Sequence, residues 1–404
     1  MINFAIYEFN SNLYDFYPTV PDGFTYTHSD EIGSNGIVTR TLSCEDSELT
    51  KLTYIRFGTT GDATNREKSL LKVTYANTAN VTDMSNMFDK CSNLTSLDLS
   101  NFNTAKVTDM NAMFYGCRSL TSLDLSNFNT SEVTKMASMF YGCSNLTSLD
   151  LSNFNTTNVD RMNSMFNGCS SLTLLDLSNF NTSNVTNMVS MFTGCSRLTS
   201  LDLSNFNTSK VINMSSMFYG CSRLTSLNLS DFDTAKVAYM ASMFYGCSNL
   251  TSLNLSSFNT IKVTNMNNMF SGCKSLTSLN LSNFNTSAVT TISNMFYGCS
   301  QLKTLFLTGT SEATINKIIS VVIARSEDSN GSLYVSDTID ISLVNVGDAN
   351  TKYWTVVIVT EQVDNNKIKN VNYQNGVIAN VLFGETDKVK NIYLFKVTGR
   401  TREK

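Results

Sequence analysis

Three columns of chemistry-bearing side chains recur in this chain at a fixed interval of 26 residues. The first is acidic: Asp98, Asp124, Asp150, Asp176 and Asp202, continued by Asn228, Asn254 and Asn280. Carboxylates stacked one strand apart repel each other. The column reads either as a stripe for a cation or cationic ligand, or as a solvated acidic face with partly raised pKa values. Screening favours the second, and calcium, which wants about six to eight converging oxygens, is poorly served by a linear ladder. The second column is aromatic: Tyr115, Tyr141, Tyr219, Tyr245 and Tyr297, with Asn167, Thr193 and Ser271 in other copies. A phenol offers a ligand contact area and a hydroxyl handle, and equally such rings pack over one another along a ladder. The third is Cys91, Cys117, Cys143, Cys169, Cys195, Cys221, Cys247, Cys273 and Cys299. Stacked neighbours there could reach disulfide distance, but their apolar setting favours buried thiols.

Other chemistry is missing. The chain has one histidine, His28, and neither a phosphate-binding glycine loop nor a G-x-S-x-G elbow. Cysteines 26 residues apart lack the paired C-x-x-C spacing of a zinc site. The expectation is therefore no enzyme, no cofactor and no metal, with an enzyme on a repeat scaffold as the remote alternative. A net charge of -4 offers no basic stripe for nucleic acid. Charged residues are only 15% of the chain, so Ser, Thr and Asn must carry solubility. The 18 methionines fall, Met1 apart, at two inward repeat positions and read as core. The variable set Lys106, Glu132, Asn158, Asn184, Lys210, Lys236 and Lys262 reads as a solvated edge.

The elements that position these columns follow from the repeat, which runs L-x-x-L-x-L-S-x-F-x-T-x-x-V-x-x-M-x-x-M-F-x-x-C. A period of this size means a solenoid, which lengthens without enlarging one core. Alternation at Leu97-Asp98-Leu99 predicts a short strand with leucines inward. The spacing of Val107, Met110, Met113, Phe114 and Cys117 predicts one face of a short helix, with a cap near Thr108. One unit cannot offset its own ordering entropy, but stacked units fuse their Leu, Phe, Met and Cys columns into a core. Strands about 4.8 Å apart, ten in all, would make a sheet roughly 45 Å long.

The ends differ from the middle. Residues 1–70 read as a β-rich cap or attachment module, with strands over Phe4–Phe9 and Leu52–Phe57 and turns near Gly33 and Gly36. Residues 71–310 form the nine-copy solenoid. Residues 311–360 read as a capping unit: a helix over Thr314–Arg325, with Ser311 or Thr314 as cap, then strands at Ser332–Val335 and Tyr353–Thr360. Residues 361–404 read as a β-hairpin module turning at Asn375-Gly376, with a further strand over Ile392–Val397. The first residues lack a basic region, a long apolar run and a cleavage site, and no stretch reaches transmembrane length. The expectation is a location reached by assembly, or after removal of a leader, with no membrane insertion. Sequons such as Asn93-Leu-Thr and Asn145-Leu-Thr read as by-products of the Asn and Thr ladders.

The motif MFxGCxxLTSLDLSNFNTSxVTxM resembles the BspA-like branch of the leucine-rich repeats, over about 240 of the 404 residues. The resemblance implies an α/β repeat: a curved leucine-rich-repeat-like solenoid with a parallel sheet on one face, here flanked by small β-rich terminal modules. It also implies extracellular or cell-surface adhesion to a protein or glycan. Phe102 stands where the general leucine-rich consensus has Asn or Cys, and Thr104 where it has Leu, so the standard asparagine-ladder geometry is not expected to carry over. Similar repeats occur on virion proteins of some gut bacteriophages, and this makes a structural or receptor-binding virion protein the alternative, with other virion proteins as partners. The binding residues expected are the five tyrosines and five aspartates above.

Overall fold

The computed structural model describes residues 1–12, 16–33, 36–58, 70–325, 329–361 and 392–396. The chain is a β-solenoid of about eleven turns, with parallel sheets and little helix. At its start β1 (Ile2–Asn10), β2 (Thr27–Ile32), β3 (Ile37–Cys44), β4 (Leu70–Ala76) and β5 (Ser96–Leu97) form one sheet in the order β2-β3-β1-β4-β5. β4 pairs antiparallel with β1 and parallel with β5, so the first sheet runs directly into the coils. The strand expected over Leu52–Phe57 reduces to one bridge between Thr19 and Arg56. Its inward residues Leu52, Ile55 and Phe57 are nonetheless buried, and Phe57 stacks on Phe88 of the first coil. In that segment Leu52 and Thr53 donate locally to Leu49 and Lys51, Arg56 to Thr19 and Phe57 to Met87, so no continuous ladder forms.

Within the repeats the leucine strand is short. It is laddered between β6 (Ser226–Asn228) and β7 (Ser252–Asn254), and between β8 (Ser278–Asn280) and β9 (Thr304–Phe306). Half a coil away, single parallel bridges run without a break from Asp83 through Asp109, Lys135 and Arg161 to Thr291. The coils are therefore joined on both sides.

The helix expected over Val107–Cys117 does not form, and this corrects the α/β reading of the repeat. Met113, Tyr115 and Cys117 donate three residues back, to the carbonyls of Met110, Ala112 and Phe114 at 3.3, 3.1 and 3.2 Å. An α-helix would bond four back. The intervening residues Met110, Ala112, Phe114 and Gly116 donate instead to Lys135, Ala137, Met139 and Tyr141 of the next coil. Left-handed backbone at Ala112 (φ 53°) and Gly116 (φ 71°), repeated at the equivalent residues along the solenoid, enforces the turns. Val107, Met110, Met113, Phe114 and Cys117 still face inward and are fully buried.

The core is a set of columns. Phenylalanines from Phe57 and Phe88 to Phe296 stack with ring centroids 5.5 to 5.8 Å apart. Buried threonines bridge coils: the Thr130 hydroxyl donates to Asn155 O at 3.0 Å and accepts from Asn155 N at 2.7 Å. Contrary to expectation an asparagine ladder is present, at the residue before each phenylalanine of the Phe102 column. Asn127 Nδ2 donates to Leu99 O and Phe102 O of the preceding coil at 2.8 and 3.0 Å, and Asn153, Asn179, Asn205 and Asn283 repeat this. The cysteines are free thiols; eight of them, Cys117 to Cys299, donate to the Phe carbonyl of the preceding coil at 2.9 to 3.1 Å.

Past β9 the return becomes helical. After the short α1 (Asp46–Leu49) of the first module, α2 (Glu312–Val321) is, among the described residues, the first helix longer than one turn. Ser311 caps it by accepting from Thr314 N, and Ile315, Ile318 and Ile319 seal the end of the core. Lys317 Nζ donates to the carbonyls of Thr286 and Val289 in the last full coil. β10 (Gly331–Ser336), α3 (Val346–Thr351), β11 (Trp354–Glu361) and the antiparallel β12 (Ile392–Lys396) complete the sheet. The hairpin expected at Asn375-Gly376 lies outside the described residues.

Candidate functional site

With the core columns closed on themselves, outward columns are what the molecule offers a partner. The tyrosines occupy the residue before a left-handed glycine, a position where a turn swings the side chain out over the rim of the coil. The structure brings four of them together in two pairs. Tyr115 and Tyr141 stack with centroids 4.3 Å apart and planes within 5°, and Tyr219 and Tyr245 with 4.5 Å and 5°. Tyr115, Tyr141 and Tyr245 are half-buried, Tyr219 is 38% exposed, and Tyr297, whose neighbour is Ser271, stands 69% exposed. Packing and presentation thus coexist: each paired ring spends one face on its neighbour, while Tyr219 and the unstacked Tyr297 stay exposed. Burial, and then the adjacent Tyr141, raise the Tyr115 phenol above its ordinary range.

The five aspartates are all exposed and all do the same local work. Each Oδ1 accepts the N–H two residues on: Asp98 from Ser100 at 2.9 Å, Asp124 from Ser126 at 3.0 Å, Asp150 from Ser152 at 2.9 Å, Asp176 from Ser178 at 2.9 Å, Asp202 from Ser204 at 3.0 Å. This Asx turn bends the chain away from the strand. Hydrogen bonds to the charged form outweigh mutual repulsion, so the carboxyls are lowered below the usual range rather than raised. Asn228, Asn254 and Asn280 supply the same acceptor at 3.0 to 3.1 Å, which explains why Asp and Asn interchange here. Among the described residues no three His, Cys, Asp or Glu side chains converge to hold a metal.

The variable edge is partly tied down along the axis, since Lys106 and Lys210 donate to Asn80 and Asn184 of the preceding coils. Four exposed cations that the sequence reading did not single out, Arg197, Arg223, Lys274 and Lys303, lie between the tyrosine and the Asp/Asn columns. The signal was available as a departure from Ser, Asn or Thr in otherwise uniform columns. Among the described residues no helix is long and apolar enough to cross a membrane.

Among curated proteins and among solved structures, none matches the chain. A family description does, over three overlapping stretches, residues 61–173, 145–228 and 222–311, which together span more than half of the chain. These stretches take in the columns just described. The chain belongs to the family described as "Mycoplasma protein of unknown function, DUF285".

Proposed function

We propose that the protein is a non-enzymatic binding and adhesion scaffold, presented on a cell surface, that holds a host or cell-surface protein or glycan along its repeats. The observation that carries this reading is the tyrosine column. Four of its rings are held in stacked pairs and Tyr219 and Tyr297 are exposed, yet stacking of the coils does not need them, because Asn167, Thr193 and Ser271 fill the same position. Rigid aromatic groups with a polar tip bind at low entropic cost. Repetition along an axis favours avidity over one deep pocket. The resemblance to BspA-like leucine-rich repeats points the same way, although the turns that replace its helices set this chain apart.

A second reading, a structural or receptor-binding virion component docked through its first module, draws on β2. All six residues of this edge strand are exposed, which leaves it able to accept a partner strand. The test of the main reading is the double substitution Tyr219→Ser and Tyr245→Ser. Binding to cells and to a glycan array should fall roughly tenfold or more, while the melting temperature moves by no more than about 2 °C. Unchanged binding, or a collapse of stability, refutes the assignment of this column.

A further inference from the structure

The arc of each coil that runs from the tyrosine rim to the acceptor column changes its charge along the molecule. In the early coils it ends on Asp98, Asp124, Asp150, Asp176 and Asp202. From residue 215 onward it contains no acid: the stretches 215–230, 241–257, 267–283 and 293–309 hold neither Asp nor Glu. Asn228, Asn254 and Asn280 make the same turn as the aspartates they replace, so the fold does not require the change; only the charge differs.

Cations become more frequent on this arc toward the later coils. Arg197, Arg223, Lys274 and Lys303 are exposed on this arc, and none forms an ion pair with a described residue. Lys274 occupies the position of Arg118, whose charge acts on Tyr115, so a cation there stands beside the tyrosine rim. In a chain of net charge -4, the four acid-free coils carry Arg223, Lys274 and Lys303, and Arg197 adds a fourth cation in the coil before them, which is the last to end on an aspartate, Asp202. Together these five coils form a strip that extends over roughly 20 Å at about 4.8 Å each. The pair Tyr219–Tyr245 stands in its middle and Tyr297 near its end.

A row with about one contact per coil suits a polymer lying along the axis. Guanidinium and ammonium groups bind carboxylate and sulfate. Nucleobases stack on free ring faces, and the pairing of Tyr219 with Tyr245 closes one face of each ring. Deepening the tyrosine reading, and resting on it, we propose that this strip of the later coils binds a linear polysaccharide bearing carboxylate or sulfate groups. The cations pair with its acid groups, and the phenols hydrogen-bond its hydroxyls.

The experiment measures binding of the full chain to immobilised heparin, hyaluronan, neutral dextran and an oligothymidylate strand, at low and at physiological salt. Three variants accompany it. The first combines Arg197→Ser, Arg223→Asn, Lys274→Ser and Lys303→Thr, residues that other coils carry at these positions, so that folding is preserved. The second combines Asn228→Asp, Asn254→Asp and Asn280→Asp. The third is Tyr219→Ser with Tyr245→Ser.

The wild type should bind heparin or hyaluronan and not dextran, more weakly as salt rises. The first two variants should each lose on the order of tenfold or more. Dextran bound as well as heparin, unchanged binding in the first two variants, or no binding to either acidic polymer overturns the proposal. So does oligothymidylate bound as tightly as heparin. If the charge variants bind normally and the tyrosine variant does not, the tyrosine reading survives alone. Loss in the charge variants with the tyrosine variant intact removes the tyrosines and leaves the charged strip as the site.

Discussion

Replacing Thr156 by valine isolates the contribution of one coil-to-coil link. Thr156 is 1% exposed; its hydroxyl donates to Asn181 O at 3.0 Å and accepts from Asn181 N at 2.8 Å. Valine keeps the shape and removes both bonds. Each backbone group left unpaired away from water costs about 1–3 kcal/mol. The Asn181 pair lies near the rim, so the lower half of that range applies to each group. Extra apolar burial returns about 0.8 kcal/mol, for a net loss of about 2 kcal/mol. Thr156→Ser keeps both bonds and deletes one methyl, at about 1 kcal/mol. The order matters more than the values: if the hydroxyl is the link, valine is worse than serine, and if the site only fills volume, serine is worse. Urea unfolding at constant m ranks the two variants. Amide exchange should place the weakening at the boundary between the coils of Thr156 and Asn181, since only neighbouring coils touch. A valine variant as stable as the serine variant refutes the bridging role.

Two further outcomes follow from the outward and inward columns. The five aspartates have depressed carboxyl pKa values in the fold, so they contribute stability above the unfolded value of about 3.9 and lose it as pH falls through the folded values. Changing all five to Asn should flatten the fall in melting temperature below about pH 4 while keeping the Asx turns; an identical acid profile would show that the column plays no part. Burial raises the column thiols, Cys143 and Cys299 up to about 12 and others well above the usual range. Native protein at about pH 8 should therefore resist iodoacetamide and label only on unfolding, and stoichiometric labelling of the native chain by mass spectrometry would contradict the packing described.

Much of the architecture was legible because a strict period leaves few alternatives. The inward residues were identified correctly from spacing, since Leu, Phe, Met and Cys at fixed offsets must meet their copies. The conformation between them was not. Val107, Met110, Met113, Phe114 and Cys117 are spaced as on a helix, but consecutive three-residue turns bury the same set. The glycine at Gly116, Gly142 and Gly168 was the available warning, since a helix has no use for a left-handed residue there. The acidic column was misread in sign because repulsion was weighed without the serine two residues on, whose N–H each carboxylate accepts. The tyrosine pairs needed coordinates: spacing places the rings in one column, but only the turn geometry decides that they lie flat against each other.

The way each coil bonds to the next has a consequence for how such a molecule varies. The Thr130, Asn127 and Cys143 contacts each run from one coil to its neighbour and recur between the same two repeat positions along the stack. An inserted coil therefore brings a complete set of bonds wherever it lands, and a deleted one leaves two surfaces that already match. Length is then a discrete variable, changing by 26 residues and about 4.8 Å at a time. Near-identical coding stretches are prone to unequal crossover, so a lineage can lengthen or shorten this rod in single steps without passing through an unfolded intermediate sequence. The spacing between its two dissimilar ends acts as a heritable ruler.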